Sequence, residues 1–191
     1  ELLVPGSEVW LTVPGTQGRK TKYDLVAVRK SNGIIFNIDS QAPNKVVKEW
    51  LECQDYTKIV PEYNYGDSRI DFYMERGSEC YLMEIKGCTL EKDGIGYFPD
   101  APTERGIKHI KELIKAGNAG YKKIIGFFIQ MDGVTEVRPN IEINPEIGTV
   151  MEEAAAADEV GLFFTCHEEP DELTITKGGG KRTLMEWIEE R

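Results

Sequence analysis

Alternating apolar and polar residues predict three short strands at the start of the chain, followed by turn-forming residues. They form a small antiparallel β unit with few apolar residues for a domain that folds by itself. The unit begins abruptly at Glu1, so we expect further residues before it. The predicted strands lie near 8–13, 22–30 and 34–39, separated by Pro14-Gly15 and Ser31-Asn32-Gly33.

A different pattern follows, in which two helices enclose three alternating segments. Apolar residues at helical spacing predict helices near 42–53 and 103–116, with Thr103 as the N-cap of the second. The apolar run 124–131 is typical of a strand buried on both faces. The order from 42 to 131 is therefore α-β-β-β-α-β. The remaining predicted segments are strands near 57–65, 68–76, 79–87 and 161–167, helices near 145–158 and 183–190, and a flexible connector at Gly178-Gly179-Gly180-Lys181-Arg182.

Two glycine-containing turns predict how the central strands pair. A type II′ turn at Gly77-Ser78 places Arg76 opposite Glu79, and hence Asp71 opposite Glu84. A two-residue loop at Gly66-Asp67 in turn places Glu62 opposite Asp71. The sequence therefore predicts three carboxylates in a row across three strands.

Such a row of carboxylates needs a compensating charge. Like charges directly opposite one another destabilise a sheet, and a hard divalent cation would offset the repulsion. Lys86 lies two residues beyond Glu84 on the same face, where its ammonium group can stabilise charge on a phosphate. The alternative is a solvated sheet face with alternating charges and a few salt bridges.

Composition narrows the class of protein. The 191 residues carry a net charge of −10, which argues against a nucleic-acid binder that relies on its overall charge. No apolar run approaches the ~18 residues needed to span a bilayer, so we expect a soluble protein with no membrane partner. The four cysteines form no CxxC pair and no secretion signal is evident, so we expect reduced thiols and a cytoplasmic location.

Several segments resemble the sugar fermentation stimulation protein A family, over nearly the whole chain. They are RIDF (69–72), MEIKG (83–87), EYNYGDSRIDF (62–72) and GYFPDAPTERGIKHI (96–110). That family is similar to an OB-fold followed by a PD-(D/E)xK nuclease-like domain, whose core order is also α-β-β-β-α-β. The spacing of Asp71, Glu84 and Lys86 resembles that of archaeal Holliday-junction resolvases in the same superfamily. We therefore expect an α/β fold with a mixed sheet flanked by helices over 41–191, and a partial OB-fold over 1–40.

The resemblance implies metal-dependent hydrolysis of phosphodiester bonds in DNA or RNA, with non-specific binding of nucleic acid. Asp71, Glu84 and the backbone carbonyl of Ile85 are then ligands of Mg²⁺ or Mn²⁺. Lys86 positions water or stabilises charge. Glu62 is an auxiliary ligand, or an acid behind the ligands.

Two further groups are candidates for contacting nucleic acid. Arg105 and His109 lie one turn apart on the second helix, which in this superfamily often sends polar residues to the site. A basic cluster on the first hairpin suits a phosphate backbone. Solvated surfaces are the alternative for both groups. The basic cluster comprises Arg19, Lys20, Lys22, Arg29 and Lys30.

A function of a different class stays open. The chain can be a DNA-binding regulatory protein of sugar metabolism whose nuclease site is vestigial, although an intact Asp71, Glu84 and Lys86 argues against complete loss. The choice between DNA and RNA, the cleavage polarity and the formation of a homodimer are left open by the sequence.

Overall fold

The computed structural model describes residues 2–15, 18, 20–157, 160–169 and 172–183, with side chains described only as far as 176. The fold is α/β. A mixed six-stranded sheet carries helices on both faces, and a three-stranded sheet precedes it in the chain. The expected fold class is confirmed.

The N-terminal sheet contains the three predicted strands, each slightly shorter than expected. They are antiparallel in the order β1-β2-β3. Phe36 is fully buried and forms an isolated bridge with Met131, which ties this sheet to the rest of the molecule. The strands are β1 (Val9–Thr12), β2 (Asp24–Arg29) and β3 (Ile35–Asn37).

The six-stranded sheet has the order β12-β11-β9-β6-β5-β4. The central strands β6, β9 and β11 are parallel, whereas β4, β5 and β6 form an antiparallel meander. Burial on both faces explains the continuous apolar run of β9. The strands are β4 (Lys58–Tyr65), β5 (Ser68–Arg76), β6 (Glu79–Cys88), β9 (Lys122–Ile129), β11 (Val160–Glu169) and β12 (Glu172–Thr183).

Each face of this sheet has its own apolar core. Helix α1 (Ala42–Glu52) packs on one face through Val47 and Leu51, which join a cluster with Phe128 and Phe164. Helices α2 (Glu104–Asn118) and α3 (Pro145–Ala156) contribute to the cluster on the opposite face. The Thr103 side chain accepts a hydrogen bond from Gly106 N at 2.9 Å, as predicted for an N-cap. None of the helices in the described part of the chain is long and apolar enough to cross a membrane.

Four strands were not anticipated. Three short ones form a separate sheet in the order β10-β8-β7, so that a hairpin interrupts the α-β-β-β-α-β order between β6 and α2. The fourth is β12, which contains the glycine-rich segment predicted to be a flexible connector; Gly180 pairs with Phe163. The predicted helix near 183–190 lies outside the described residues, except that Thr183 ends β12. The short strands are β7 (Leu90–Lys92), β8 (Ile95–Phe98) and β10 (Val137–Pro139).

Packing at the centre of β9 requires a residue without a side chain. A Cβ atom on Gly126 would lie 2.6 Å from Ile85 Cδ1 and 3.0 Å from Phe164 Cε2. We expect Gly126→Ala to lower the free energy of unfolding by about 1–3 kcal/mol, because the added methyl group overpacks the core. Urea denaturation at pH 7 measures this.

The matched control is Gly15→Ala, where a Cβ would meet no atom within 4 Å. That change should alter the free energy of unfolding by less than about 0.5 kcal/mol. Equal effects of the two substitutions would show that the close approach at Gly126 does not determine stability.

Candidate active site

Both central hairpins have the predicted register. Strands β5 and β6 pair from Phe72–Met83 to Arg76–Glu79, and β4 and β5 pair from Lys58–Glu75 to Tyr65–Ser68. The turn glycines Gly77 and Gly66 have φ values of +59° and +55°, as the first central position of a type II′ turn requires. Turn chemistry therefore aligns the strands that carry the candidate residues.

The ladder between β5 and β6 ends just before the candidate carboxylates. Asp71 Oδ2 accepts a hydrogen bond from the backbone N–H of Ile85 at 2.7 Å, in place of a backbone partner. Asp71 Oδ1 accepts a second one from Asn44 Nδ2 of α1, also at 2.7 Å. The N–H and C=O of a strand residue point towards the same neighbouring strand, so the Ile85 carbonyl faces the side on which Asp71 lies.

Glu84 occupies the centre of the site and is 2% exposed. Its Oε1 atom accepts a hydrogen bond from Lys86 Nζ at 2.8 Å and also contacts Nδ1 of His109 on α2. Its Oε2 atom is buried and has no hydrogen-bond partner in the described part of the chain. A buried carboxylate oxygen without a partner is unusual and indicates a missing ligand, ion or water.

The two acids differ in their electrostatic environment. Burial raises the pKa of Asp71, with a further contribution from the charge of Glu84, and the hydrogen bonds from Ile85 and Asn44 only partly oppose this. Burial also acts to raise the pKa of Glu84, but Lys86 and His109 outweigh it and hold the pKa below its usual range. Glu84 is thus ionised at neutral pH, and its field acts on Asp71.

Glu62 does not complete the expected row of carboxylates. Its φ is +56°, and the β4–β5 ladder has no pair at Glu62, although the pairs on either side, Pro61–Phe72 and Tyr63–Ile70, keep the predicted register. The side chain is exposed and forms an ion pair with Arg69 at 2.9 Å. The described contacts therefore connect Glu62 to Arg69, whereas the charge of Glu84 acts on Asp71.

His109 and Arg105 occupy different surroundings. His109 was predicted to contact nucleic acid from a polar helix face, but it lies on the buried side of α2, against Glu84. Arg105, one turn earlier, is exposed. Helix α2 therefore presents one of the two residues to the carboxylate and the other to solvent.

Only part of the basic cluster of the N-terminal sheet is free of ion pairs and exposed for contact with nucleic acid. Lys20 and Lys22 are exposed, and Arg19 lies outside the described residues. Arg29 forms an ion pair with Glu8 at 2.8 Å, and Lys30 forms one with Glu91 at 2.7 Å. The structure does not bring these residues to Asp71 and Glu84 through any contact among the described residues.

Asn44 is a site residue that the sequence analysis missed. It lies on α1 three residues before Val47 and seven before Leu51, both fully buried. A polar residue at these spacings shares the buried stripe of the helix, which was a usable signal.

A cleft of about 660 Å³ opens beside these residues, between the N-terminal sheet and the main sheet. Asn44, Ile85 and Gly87 line it on the side of the carboxylates, and Lys30 and Phe36 on the side of the N-terminal sheet. The cleft gives a ligand of nucleotide size access to the immediate neighbours of Asp71.

The donor atoms of the site suit a hard cation that keeps several water ligands, rather than a metal ion whose ligands all come from the protein. In the described ranges, no group of three or more His, Cys, Asp and Glu side chains is arranged to hold a metal ion. Mg²⁺ prefers one or two carboxylates together with water molecules. Asp71, Glu84 and the Ile85 carbonyl satisfy that requirement, and the unpartnered Oε2 of Glu84 provides a free donor atom.

Two family models match the chain. Residues 41–172 match the sugar fermentation stimulation protein RE domain, and residues 1–37 match the SfsA N-terminal OB domain. The two matches follow one another along the chain, in the order of the three-stranded and six-stranded sheets.

Sequence relatives and a solved structure agree with these matches. Sugar fermentation stimulation protein homologues from Desulfitobacterium hafniense and Clostridium acetobutylicum are 44% and 41% identical to the chain, over 91% and 93% of its length. The matched parts cover 77% and 80% of those relatives. The solved structure of Pyrococcus furiosus SfsA in complex with Ca²⁺ superimposes with a TM-score of 0.77 at 28% identity, covering 94% of this chain and 79% of that one. The chain therefore belongs to the sugar fermentation stimulation protein family.

Proposed function

We propose that this protein is a metal-dependent nuclease that hydrolyses phosphodiester bonds of DNA or RNA. The observation that carries the proposal is the buried Glu84 carboxylate, whose Oε2 atom has no partner in the described structure although Lys86 and His109 hold its Oε1 atom. Asp71 lies within its electrostatic field. Two acids held close together at the end of a broken ladder are suited to share a divalent cation.

The residues that hold the cation are Asp71, Glu84 and the carbonyl of Ile85. Mg²⁺ or Mn²⁺ suits these oxygen donors, and the related Pyrococcus furiosus SfsA was solved in complex with Ca²⁺, another cation that prefers oxygen ligands. When bound, the cation supplies a Lewis acid that neutralises charge on the scissile phosphate. Asn44 and the Ile85 N–H keep the Asp71 carboxylate in place through their hydrogen bonds.

Besides the bound cation, the site has a positively charged side chain of its own, that of Lys86. Its ammonium group lies 2.8 Å from Glu84 Oε1 and is largely shielded from solvent. A cation in a water-poor site interacts more strongly with charge that develops on a phosphate than an exposed lysine does. Lys86 therefore stabilises the phosphorane-like charge and orients the attacking water.

The cleft between the two sheets is the proposed path of the nucleic-acid strand. It reaches the neighbours of Asp71 and is lined by Lys30 and Lys92 as well as by backbone-exposing Gly87. Lysine side chains at a cleft wall suit the phosphates of a nucleic-acid strand. The exposed Arg105, Lys20 and Lys22 are further proposed contacts with the phosphate backbone.

Substitution of the central residues tests the activity. We expect Asp71→Asn, Glu84→Gln and Lys86→Met each to lower cleavage at least ~100-fold, because each removes charge used in the transition state. The measurement is cleavage of labelled single- and double-stranded DNA and RNA with Mg²⁺, Mn²⁺ or EDTA.

Glu62→Gln is the matched control, since it removes an exposed carboxylate of β4 that pairs with Arg69. Its cleavage rate should stay within about 3-fold of the original. Nucleic-acid binding without cleavage under every metal condition would sink the nuclease proposal and favour a DNA-binding regulatory protein.

Cation binding has a readout that does not depend on activity. Mg²⁺ or Ca²⁺ at ~100 times its dissociation constant should stabilise the fold by about 2.7 kcal/mol, which raises the melting temperature by several degrees. Glu84→Gln should abolish this rise, whereas Glu62→Gln should retain it. A rise of equal size in Glu84→Gln would place the cation elsewhere.

His109 should stabilise the fold because it contacts the buried carboxylate of Glu84. Its loss in His109→Ala leaves Glu84 Oε1 with Lys86 as its remaining described donor, so we expect a loss of about 2–4 kcal/mol in the free energy of unfolding. Denaturant titration measures it.

His167→Ala is the matched control for His109. His167 also pairs with a carboxylate, Asp132 at 3.1 Å, but its side chain is 55% exposed. Its removal should lower the free energy of unfolding far less than His109→Ala does, because solvent screens an exposed ion pair. Equal losses for the two histidines would mean that the Glu84 charge does not depend on His109.

A further inference from the structure

The N-terminal sheet and the main sheet meet at a joint that contains buried polar groups. Gln130 Nε2 donates to the Asn37 carbonyl at 3.0 Å, and the Asn37 N–H donates to the Gln130 carbonyl at 3.2 Å. Asn37 is 8% exposed and Gln130 is 3% exposed. The bridge between Phe36 and Met131 lies directly beside them in the chain. These contacts connect the two sheets.

A buried acid, Glu168 of β11, lies at this joint. It is 3% exposed, and neither carboxyl oxygen has a hydrogen-bond partner among the described residues. The Asn37 backbone lies beside the carboxyl group, but its N–H already donates to Gln130. The residue opposite Glu168 in β12 is the apolar Leu173. The surroundings of Glu168 therefore offer little to a negative charge.

The charged neighbour that acts on Glu168 has the same sign. It is Asp132, in the turn after β9, which itself pairs with the exposed His167 at 3.1 Å. Cys166, two residues earlier on the same face of β11, is neutral because burial raises its pKa to about 12. Burial raises the pKa of Glu168 to about 8, the Asp132 charge adds to this, and the Asn37 backbone only partly opposes it. The closed joint thus accommodates the neutral acid and disfavours the carboxylate.

We propose that protonation of Glu168 controls the joint: the neutral acid keeps the N-terminal sheet closed on the main sheet, and the carboxylate favours an open arrangement in which water reaches it. An ionised carboxyl group without donors gains hydration when the joint opens, whereas a neutral one gains much less. Phe36 and Gln130 belong to the joint and also line the cleft beside Asp71. Opening of the joint therefore widens that cleft, whichever ligand the cleft takes, so the proposal does not depend on hydrolysis.

Proton linkage gives the direction of the pH effect. In the closed joint Glu168 keeps its proton up to about pH 8, whereas in water its pKa returns towards the ordinary value of 4.5. The closed arrangement is thus fully favoured below pH 4.5, and each pH unit between these values shifts the equilibrium up to ~10-fold towards the open one. Above that range both arrangements are ionised and the effect levels off.

Amide hydrogen exchange measured by NMR at pH 6 and pH 8 tests the proposal. The protection factor, which is the rate of an unprotected amide divided by the measured rate at the same pH, should fall at least ~10-fold for Asn37, because its N–H donates across the joint. Ile38 is the internal reference, since its N–H donates to the Val26 carbonyl within the N-terminal sheet at 2.8 Å. Its protection should change less than ~3-fold.

Variants without the titrating group should lose the effect. Glu168→Gln is neutral at both pH values, so the protection of Asn37 should no longer fall between them. Glu168→Met, an unbranched apolar side chain of similar length, is a second neutral variant with the same expectation, should the buried amide prevent folding. The matched control is Glu169→Gln, which removes the neighbouring, 60% exposed acid that pairs with His167 at 3.3 Å and should retain the fall.

Four results would overturn the proposal. They are equal protection of Asn37 at both pH values in the original protein, a fall that persists in the neutral variants of Glu168, a fall that disappears in Glu169→Gln, and an equal fall at Ile38. The last result would show that the whole N-terminal sheet unfolds instead of separating from the main sheet.

Discussion

The burial of one ionised carboxylate, that of Glu84, constrains the arrangement of the central sheet and α2. A charge removed from water must be met by donors at close range, and two are supplied, Lys86 from the same strand and His109 from α2. The helix therefore has to dock with His109 facing the sheet, and its buried residues Ile110 and Leu113 pack in that same orientation. Ion pairs of this kind contribute little net stability compared with apolar packing. Stability alone therefore does not account for this buried charge, whose Oε2 atom has no partner among the described residues.

Asp71 takes part in the site because the β5–β6 ladder ends one residue before it. The β5–β6 ladder stops at Phe72–Met83, and the Asp71 carboxylate then takes the Ile85 N–H that the ladder leaves available. Asn44 from α1 holds the other oxygen. Elements from both sides of the sheet thus fix the two acids, which is how a rigid scaffold maintains a geometry that mutual repulsion opposes.

The parts of this arrangement that depend on local physics could be predicted from the sequence. Gly66 and Gly77 set the turn type, and alternation then sets which residues oppose one another, so both registers were correct. The predictions that differ from the structure concern features that depend on contacts between distant parts of the chain. Nothing in the pattern around Glu62 indicated a left-handed backbone, and the lysines around His109 favoured a solvated helix face although the spacing to Leu113 placed it on the buried side. Glycine-rich composition likewise suggested a connector, but glycine backbone can still pair in a ladder when a neighbouring strand such as β11 is available.

The N-terminal sheet contacts the main sheet at the end of the central strand β9, close to the carboxylates. Gln130, at the end of β9, donates to the Asn37 carbonyl at 3.0 Å, and a Cβ on Gly87 would lie 2.3 Å from Gln130 Oε1. Burial raises the pKa of the neighbouring Glu168 to about 8, so this acid is mostly protonated at neutral pH. The joint therefore needs no counter-ion for Glu168 at neutral pH, although both carboxyl oxygens of this residue are buried without a hydrogen-bond partner among the described residues. Because Gly87 directly follows Lys86, the joint packs against the strand that carries Glu84 and Lys86.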